Sequence, residues 1–295
     1  MIPENWPSTL VAHLVGTWGH PVGVNRLSGI GGPGSFHVTF PGVEVVVKTG
    51  REGLFYKRAA PLLRARGVTV PAVWRADEGW VVMEYIPHPL PRSRWVGDAA
   101  VVGALARLHG STLGEQCPLP DPYRPGWSAD MTGAALSCLD STGAAQARPL
   151  LLRLQEQCQP LFEPVCWISG DPNPTNWGVR EDGSVVLFDW ERFGLGAPAL
   201  DLAITVPGLV SPNGGPERAV ADRYCEQWSA LYGDSLAPPA NLVPDMRRAK
   251  VWTAVELLDA WTRGALPEGT RGTVDFVVAH FVEMCTAAAG GVTDP

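Results

Sequence analysis

SGDPNPTNWGVREDGSVVLFDW, residues 169–190, is the stretch whose reading decides the fold. Asp171 and Asn176 share a segment broken by Pro172 and Pro174, so a carboxylate and an amide oxygen sit together on one tight loop. A strand follows, Glu181-Asp182-Gly183 marks a turn, and the β-branched run from Val185 brings Asp189 to the end of the next strand. A base and two hard oxygen ligands at the ends of short strands are what Mg²⁺-assisted phosphoryl transfer requires. Taken singly, Asp171 and Asn176 would serve as turn caps; the complete spacing favours chemistry.

Upstream, Gly29-Ile30-Gly31-Gly32-Pro33-Gly34 matches G-x-G-x-x-G. Glycines let the backbone approach a phosphate closely. A dinucleotide fingerprint must open a helix, whereas here Ser35 to Phe40 alternates as a strand, the strand–loop–strand order of a kinase glycine loop. The chain has no G-x-x-x-x-G-K-[ST] run, which excludes a Walker-type site. Val43 to Lys48 forms the second arm of a hairpin turned at Pro41-Gly42. Lys48 ends this apolar run, and a desolvated ammonium needs an anion, either a phosphate or a carboxylate. Glu52, opening the helical segment 51–66, is the nearest acidic partner, and Pro61 ends or kinks that helix.

Ser169 to Ala203 resembles the aminoglycoside phosphotransferase and choline kinase superfamily, whose pattern runs H-G-D-x4-N, then I-D-[WF], then G-x-P-x-x-D-L-A. Leu105-Ala106-Arg107-Leu108-His109 is similar to its L-a-x-L-H helix, and Glu52 to Tyr56 with Val70-Pro71 to its E-x-x-F-Y and v-P segments. The resemblance covers roughly residues 25–210. It implies an α+β, bilobal, protein-kinase-like fold with a small β-rich N-lobe carrying one key helix and a larger, mostly helical C-lobe. It also implies ATP and Mg²⁺ as cofactors and a small-molecule hydroxyl as acceptor. Carried over, Lys48 binds the α- and β-phosphates and Glu52 orients it, both counted with the base Asp171 as catalytic. Gly29, Gly31, Gly32 and Gly34 cradle the phosphates, and Met83, Glu84 and Tyr85 form a hinge that meets adenine through backbone groups. Asn176 and Asp189 hold the metal, Asp201 buttresses the catalytic loop, and His109 is a packed helix residue. One position departs: Ser169 stands where the family has a histidine.

The remainder of the chain fits two lobes, residues 1–85 and 86–295, joined at a proline-rich hinge, Ile86 to Pro91. The first lobe reads as short strands with a single helix, including strands at 72–76 and 80–84. Helices are expected near 97–110, 144–158, 199–206, 216–232, 245–264 and 272–289. Hydrophobic residues make up 45% and charged ones 18%, enough for a sizeable core. A net charge of −7, with pI ≈ 5.4 and no basic run, argues against nucleic acid and anionic membranes. The N-terminus lacks a basic leader, no run approaches ~18 apolar residues, and the six scattered cysteines make no metal pattern, so a cytoplasmic protein with reduced thiols is expected, with no obligatory protein partner. The twelve tryptophans raise the idea of a cation–π cage but read mainly as core, and Glu191, Glu256 and Asp259 are candidates to face the substrate. Two other classes compete: a nucleotide-binding pseudokinase, for which Ser169 is the argument, and an NAD-dependent oxidoreductase using the glycine run. Among acceptors, aminoglycosides, choline-like amino alcohols and sugars stay open.

Overall fold

The computed structural model describes residues 2–27, 34–211 and 213–290. Its N-terminal part is a five-stranded antiparallel sheet in the order β1-β2-β3-β5-β4. The strands are β1 (Gly23–Arg26), β2 (Ser35–Phe40), β3 (Val43–Thr49), β4 (Val73–Asp77) and β5 (Trp80–Glu84), with α1 (Ser8–Trp18) before them and α2 (Glu52–Arg58) and α3 (Ala60–Ala65) between β3 and β4. The period of two along a strand assigns the faces. Val45 and Val47 on β3, with Trp80 and Val82 on β5, pack under Trp6, Leu10 and Leu14 at α1. Val46, Val81 and Met83 point the other way and join the main core with Phe55, Tyr56 and Leu63. Lys48 therefore falls on the face opposite α1.

Among the described residues this lobe carries three helices, where the sequence reading expects one. The sequence reading passed over α1, although Leu10 and Leu14 lie one turn apart and both are fully buried. The segment expected as one helix over 51–66 divides at Ala59, and Pro61 enters the first turn of α3, where its missing N–H costs nothing. Gly53 is required: an added Cβ would lie 2.1 Å from the Asp77 carbonyl oxygen, so α2 packs directly onto the β4–β5 turn.

After Glu84 comes a two-residue edge strand, β6 (His88–Pro89), where proline is tolerated. The helical part comprises α4 (Ala99–Ser111), α5 (Ala129–Ser137), α6 (Ser141–Cys158), α7 (Pro198–Thr205), α8 (Gly215–Tyr232), α9 (Leu242–Thr262) and α10 (Arg271–Ala289). Six of these match the expected helices within a few residues, and α5 is an addition. Between α6 and α7 lie β7 (Cys166–Ile168), β8 (Trp177–Val179), β9 (Val185–Leu187) and β10 (Gly194–Gly196), paired as β10-β7 and β6-β8-β9. The fold is bilobal and protein-kinase-like, with a sheet-based N-lobe and a helical C-lobe. A strand on each side of residues 28–33, with no helix following, removes the dinucleotide reading.

Residues Glu268–Ala289 are long and apolar enough to cross a bilayer, with mean hydropathy 1.2. In the fold, Val274, Val277, Phe281 and Met284 bury one face of α10 against α6 and α9, while Phe276 on another face is exposed. The tryptophans are spent likewise. Trp127, Trp167, Trp177, Trp190, Trp228 and Trp252 are all buried, and every one of their indole N–H groups donates to a protein oxygen. None of these six is left to cage a ligand.

Gly53→Ala is expected to lower unfolding stability by about 1–3 kcal/mol through overpacking against the β4–β5 turn. A denaturant midpoint equal to the parent's would show that this turn yields to a methyl group.

Candidate active site

The alternation on β3 aims Lys48 into the space between the lobes, and two carboxylates meet it there. Its Nζ donates to Glu52 Oε2 at 2.6 Å and to Asp189 Oδ1 at 3.0 Å. Burial alone would depress this ammonium, but Glu52 and Asp189 together hold it well above the ordinary lysine range. The second oxygen of Glu52 accepts the backbone N–H of Trp190 at 3.0 Å, and the Trp190 ring stacks on Phe55 at 4.6 Å. Strand β3, helix α2 and the end of β9 are thus tied together at one lysine.

The β8–β9 hairpin brings the two expected metal ligands to one cleft. Trp177 pairs with Leu187, and the Phe188 N–H continues the ladder by donating to the Asn176 carbonyl at 3.0 Å, so Asp189 follows directly after the residue paired with Asn176. Asp189 has φ +73°, a left-handed conformation that is costly outside glycine. The Asn176 side-chain nitrogen donates to the Asp171 backbone carbonyl at 3.0 Å, which fixes the orientation of the amide. Burial pushes the Asp171 carboxyl above the ordinary aspartate range, Arg192 opposes that shift, and Asp189 and Asp201 add to it.

The loop carrying Asp171 hangs from a buried carboxylate. Asp201, fully buried on α7, accepts the backbone N–H groups of Ser169 at 2.8 Å and Gly170 at 2.9 Å. His109 Nε2 lies 3.2 Å from the same carboxylate, and its Nδ1 lies 3.0 Å from the Tyr224 hydroxyl, so His109 is packed inside and not exposed to a substrate. Gly170, at φ +79°, passes the Arg192 backbone so closely that a Cβ would lie 2.2 Å from its carbonyl oxygen. The Ser169 side chain is buried, and its hydroxyl has no partner among the described residues. The loop is held by backbone groups, not by the side chain at 169.

Asp171, Asn176, Asp189, Lys48, Glu52, Gly34, Glu84 and Tyr85 all line one cleft of about 840 Å³ between the lobes. Gly29, Gly31 and Gly32 lie outside the described residues. The Tyr85 ring stacks on His37 at 3.9 Å beside this cleft, while the Glu84 carboxylate is engaged by Arg180. Glu191 also lines the cleft, and its carboxyl is pushed up by burial and by the nearby charges of Asp189 and Glu52. Oxygens of Glu52, Asp189 and Glu191 lie within 4.8 Å of one another. Glu256 and Asp259, which the sequence offers as substrate-facing, both carry ion pairs. Glu256 accepts from Arg192 at 2.6 Å and from the Tyr123 hydroxyl at 2.9 Å, and Asp259 pairs with Arg263 at 2.6 Å. Arg192, two residues past the Asp189–Trp190 signature, and Arg180 had no local signal, because their partners are remote in sequence.

A phosphotransferase enzyme family model matches residues 32–267. The chain belongs to this family. No curated protein sequence matches it. Among solved structures, the choline kinase LicA from Streptococcus pneumoniae is similar at 14% identity over 95% of this chain and 98% of that one, with TM-score 0.61. A spectinomycin phosphotransferase crystallised with ADP and spectinomycin gives 13%, 97%, 99% and 0.59. A choline/ethanolamine kinase family protein from Mesorhizobium loti gives 19%, 95%, 98% and 0.57. At such identities the likeness is one of fold.

Because the Ser169 hydroxyl is unpartnered, Ser169→Ala in this phosphotransferase is expected to be neutral or to stabilise by up to ~1 kcal/mol. Asp201→Ala strands two buried N–H groups and is expected to cost ~3 kcal/mol or more. Chemical denaturation of both variants checks the contrast, and equal losses would contradict it.

Proposed function

We propose that the protein transfers the γ-phosphoryl group of ATP, with Mg²⁺, to a hydroxyl of a small molecule. The observation that carries this reading is the convergence of Asp171, Asn176, Asp189 and the Lys48–Glu52 pair on one interlobe cleft. The spectinomycin phosphotransferase was crystallised with ADP and LicA with AMP, which supports a nucleotide in the corresponding cleft. At 840 Å³, the cleft has the size expected for a ligand pocket of this kind.

The donor set suits a hard cation. Glu191 offers carboxylate oxygens, Asn176 an amide oxygen and Asp189 the carboxylate oxygen that Lys48 does not engage, whereas both oxygens of Glu52 are taken, by Lys48 and by the Trp190 N–H. Asn176 and Asp189 would hold Mg²⁺, with Glu191 as an added ligand. When bound, the ion offsets charge on the β- and γ-phosphate oxygens. Lys48, fixed by Glu52, presents its ammonium to the α- and β-phosphates. Asp171 orients the acceptor hydroxyl and takes its proton as the new phosphorus–oxygen bond forms and the bond from the γ-phosphorus to the β,γ-bridging oxygen breaks, releasing ADP. Its raised pKa suits a group that must accept a proton. Glu84 and Tyr85 would meet adenine through their backbone, and the glycine run 29–34 would cover the phosphates. The acceptor classes are an aminoglycoside, a choline-like amino alcohol or a sugar, and the acidic cleft favours those carrying an amine. A cytoplasmic location fits the use of ATP.

Asp171→Ala is expected to reduce turnover by at least ~10²-fold with ATP affinity little changed. Asp189→Ala is expected to weaken Mg²⁺-dependent ATP binding. The assay is ATP consumption over a panel of aminoglycosides, amino alcohols and sugars, with nucleotide affinity by calorimetry. Turnover that survives in Asp171→Ala would remove the base from this mechanism. ATP binding without turnover on any acceptor would favour the pseudokinase.

A further inference from the structure

The hinge end of the cleft carries a second charged device that the phosphoryl-transfer machinery does not use. Arg180 leaves the end of β8, in the C-lobe, just after Val179 pairs with His88. Its guanidinium grips the Glu84 carboxylate with both oxygens, Nε to Oε1 at 2.6 Å and Nη2 to Oε2 at 2.8 Å. Bidentate pairing of this kind fixes orientation as well as distance. Glu84 Oε2 also accepts the backbone N–H of Ala72 at 2.9 Å. The same Nη2 reaches the Val70 carbonyl at 3.4 Å, while Arg64 on α3 donates to the Pro71 carbonyl at 2.6 Å.

Three consecutive residues, 70–72, are therefore held by side chains from α3, β5 and the C-lobe. Pro71, Met83, Glu84, Tyr85 and Ile86 all line the cleft at this end. The phosphate end is separate: Glu84 pairs with Val45, three residues along β3 from Lys48, or roughly 10 Å at strand rise. Side chains 96 positions apart thus set the spacing between Pro71 and the hinge backbone, the two walls a planar base would enter.

We propose that Arg180 is a positioning residue for the nucleobase: by clamping the Glu84 side chain and the Val70 carbonyl, it fixes the slot between Pro71 and the hinge backbone. The proposal rests on the reading of the cleft as a nucleotide site. The clamp touches no phosphate-binding group, so its loss affects recognition of the base and leaves the triphosphate end intact.

The test measures affinities of ATP, AMP and inorganic tripolyphosphate, with Mg²⁺, for the parent chain, Arg180→Met, Arg180→Lys and Glu84→Gln. Arg180→Met is expected to raise the Kd for ATP and AMP by about tenfold, the scale of one charge-assisted hydrogen bond, with tripolyphosphate unchanged. Arg180→Lys is expected to stay impaired, since an ammonium cannot span both carboxylate oxygens. Glu84→Gln, which keeps the side-chain shape, is expected to move in the same direction by a smaller factor and serves if Arg180→Met does not fold. Parent-like ATP and AMP affinity in the folded variants would overturn the proposal. Equal losses for tripolyphosphate would do the same, since they would show a general loosening. A parent chain that binds neither ATP nor AMP would overturn the nucleotide reading itself, and the clamp's role with it.

Discussion

A lysine taken out of water at the end of a β-strand must be compensated, and most of the architecture around the cleft follows from how Lys48 is compensated. Breaking a buried ion pair by removing one partner costs ~3–5 kcal/mol, so a solitary ammonium on this face would open the lobe. Glu52 lies close enough only because Gly53 lets α2 sit directly on the β4–β5 turn. Asp189 lies close enough only because the β8–β9 hairpin ends there and the residue accepts a left-handed backbone. The same three charges thus fix the helix of one lobe and the strand end of the other. The strained Asp189 backbone is tolerated because the ladder before it and Glu52 bound to the next N–H over-determine its position.

Much of this was legible in the sequence, and for definable reasons. Alternation on β3 signals which face Lys48 takes, and the proline-broken run 169–176 followed by a turn and a β-branched strand signals the loop and hairpin that carry Asp171, Asn176 and Asp189 to the cleft. Local rules also located six of the seven C-lobe helices. Helix α1 was missed although its Leu10–Leu14 spacing was present, because a proline precedes it and no polar cap announces it. Helix α5 was missed despite a Ser128 cap that accepts from the Met131 N–H, because its short apolar pattern is interrupted by Gly133.

What stayed hidden was tertiary. Glu84 and Arg180 are separated by 96 positions, and Glu256 and Arg192 by 64, with nothing in either neighbourhood to indicate a partner. Glu256 illustrates the cost of reasoning without that knowledge. On sequence it is an acidic group on a helix and a candidate to face the substrate, whereas in the fold it is bonded to Arg192 and Tyr123. Arg192 in turn is the cation that opposes the rise of the Asp171 pKa, so helix α9 reaches Asp171 indirectly, through charge already paired.

Ser169 shows how a fold of this kind survives at identities of 13–19% over nearly the whole chain. A loop held by a side chain at that position would fail when the side chain was exchanged. Here the loop is held by two main-chain N–H groups on Asp201, and a main-chain donor is present whichever residue occupies the site, proline excepted. The requirement has moved to the acceptor: Asp201 must be held in direction, which His109 on α4, itself held by Tyr224 on α8, secures. Backbone donors with one buried acceptor thus demand few specific side chains, whereas Lys48, Glu52 and Asp189 admit no such substitution, because each supplies a charge that the main chain cannot.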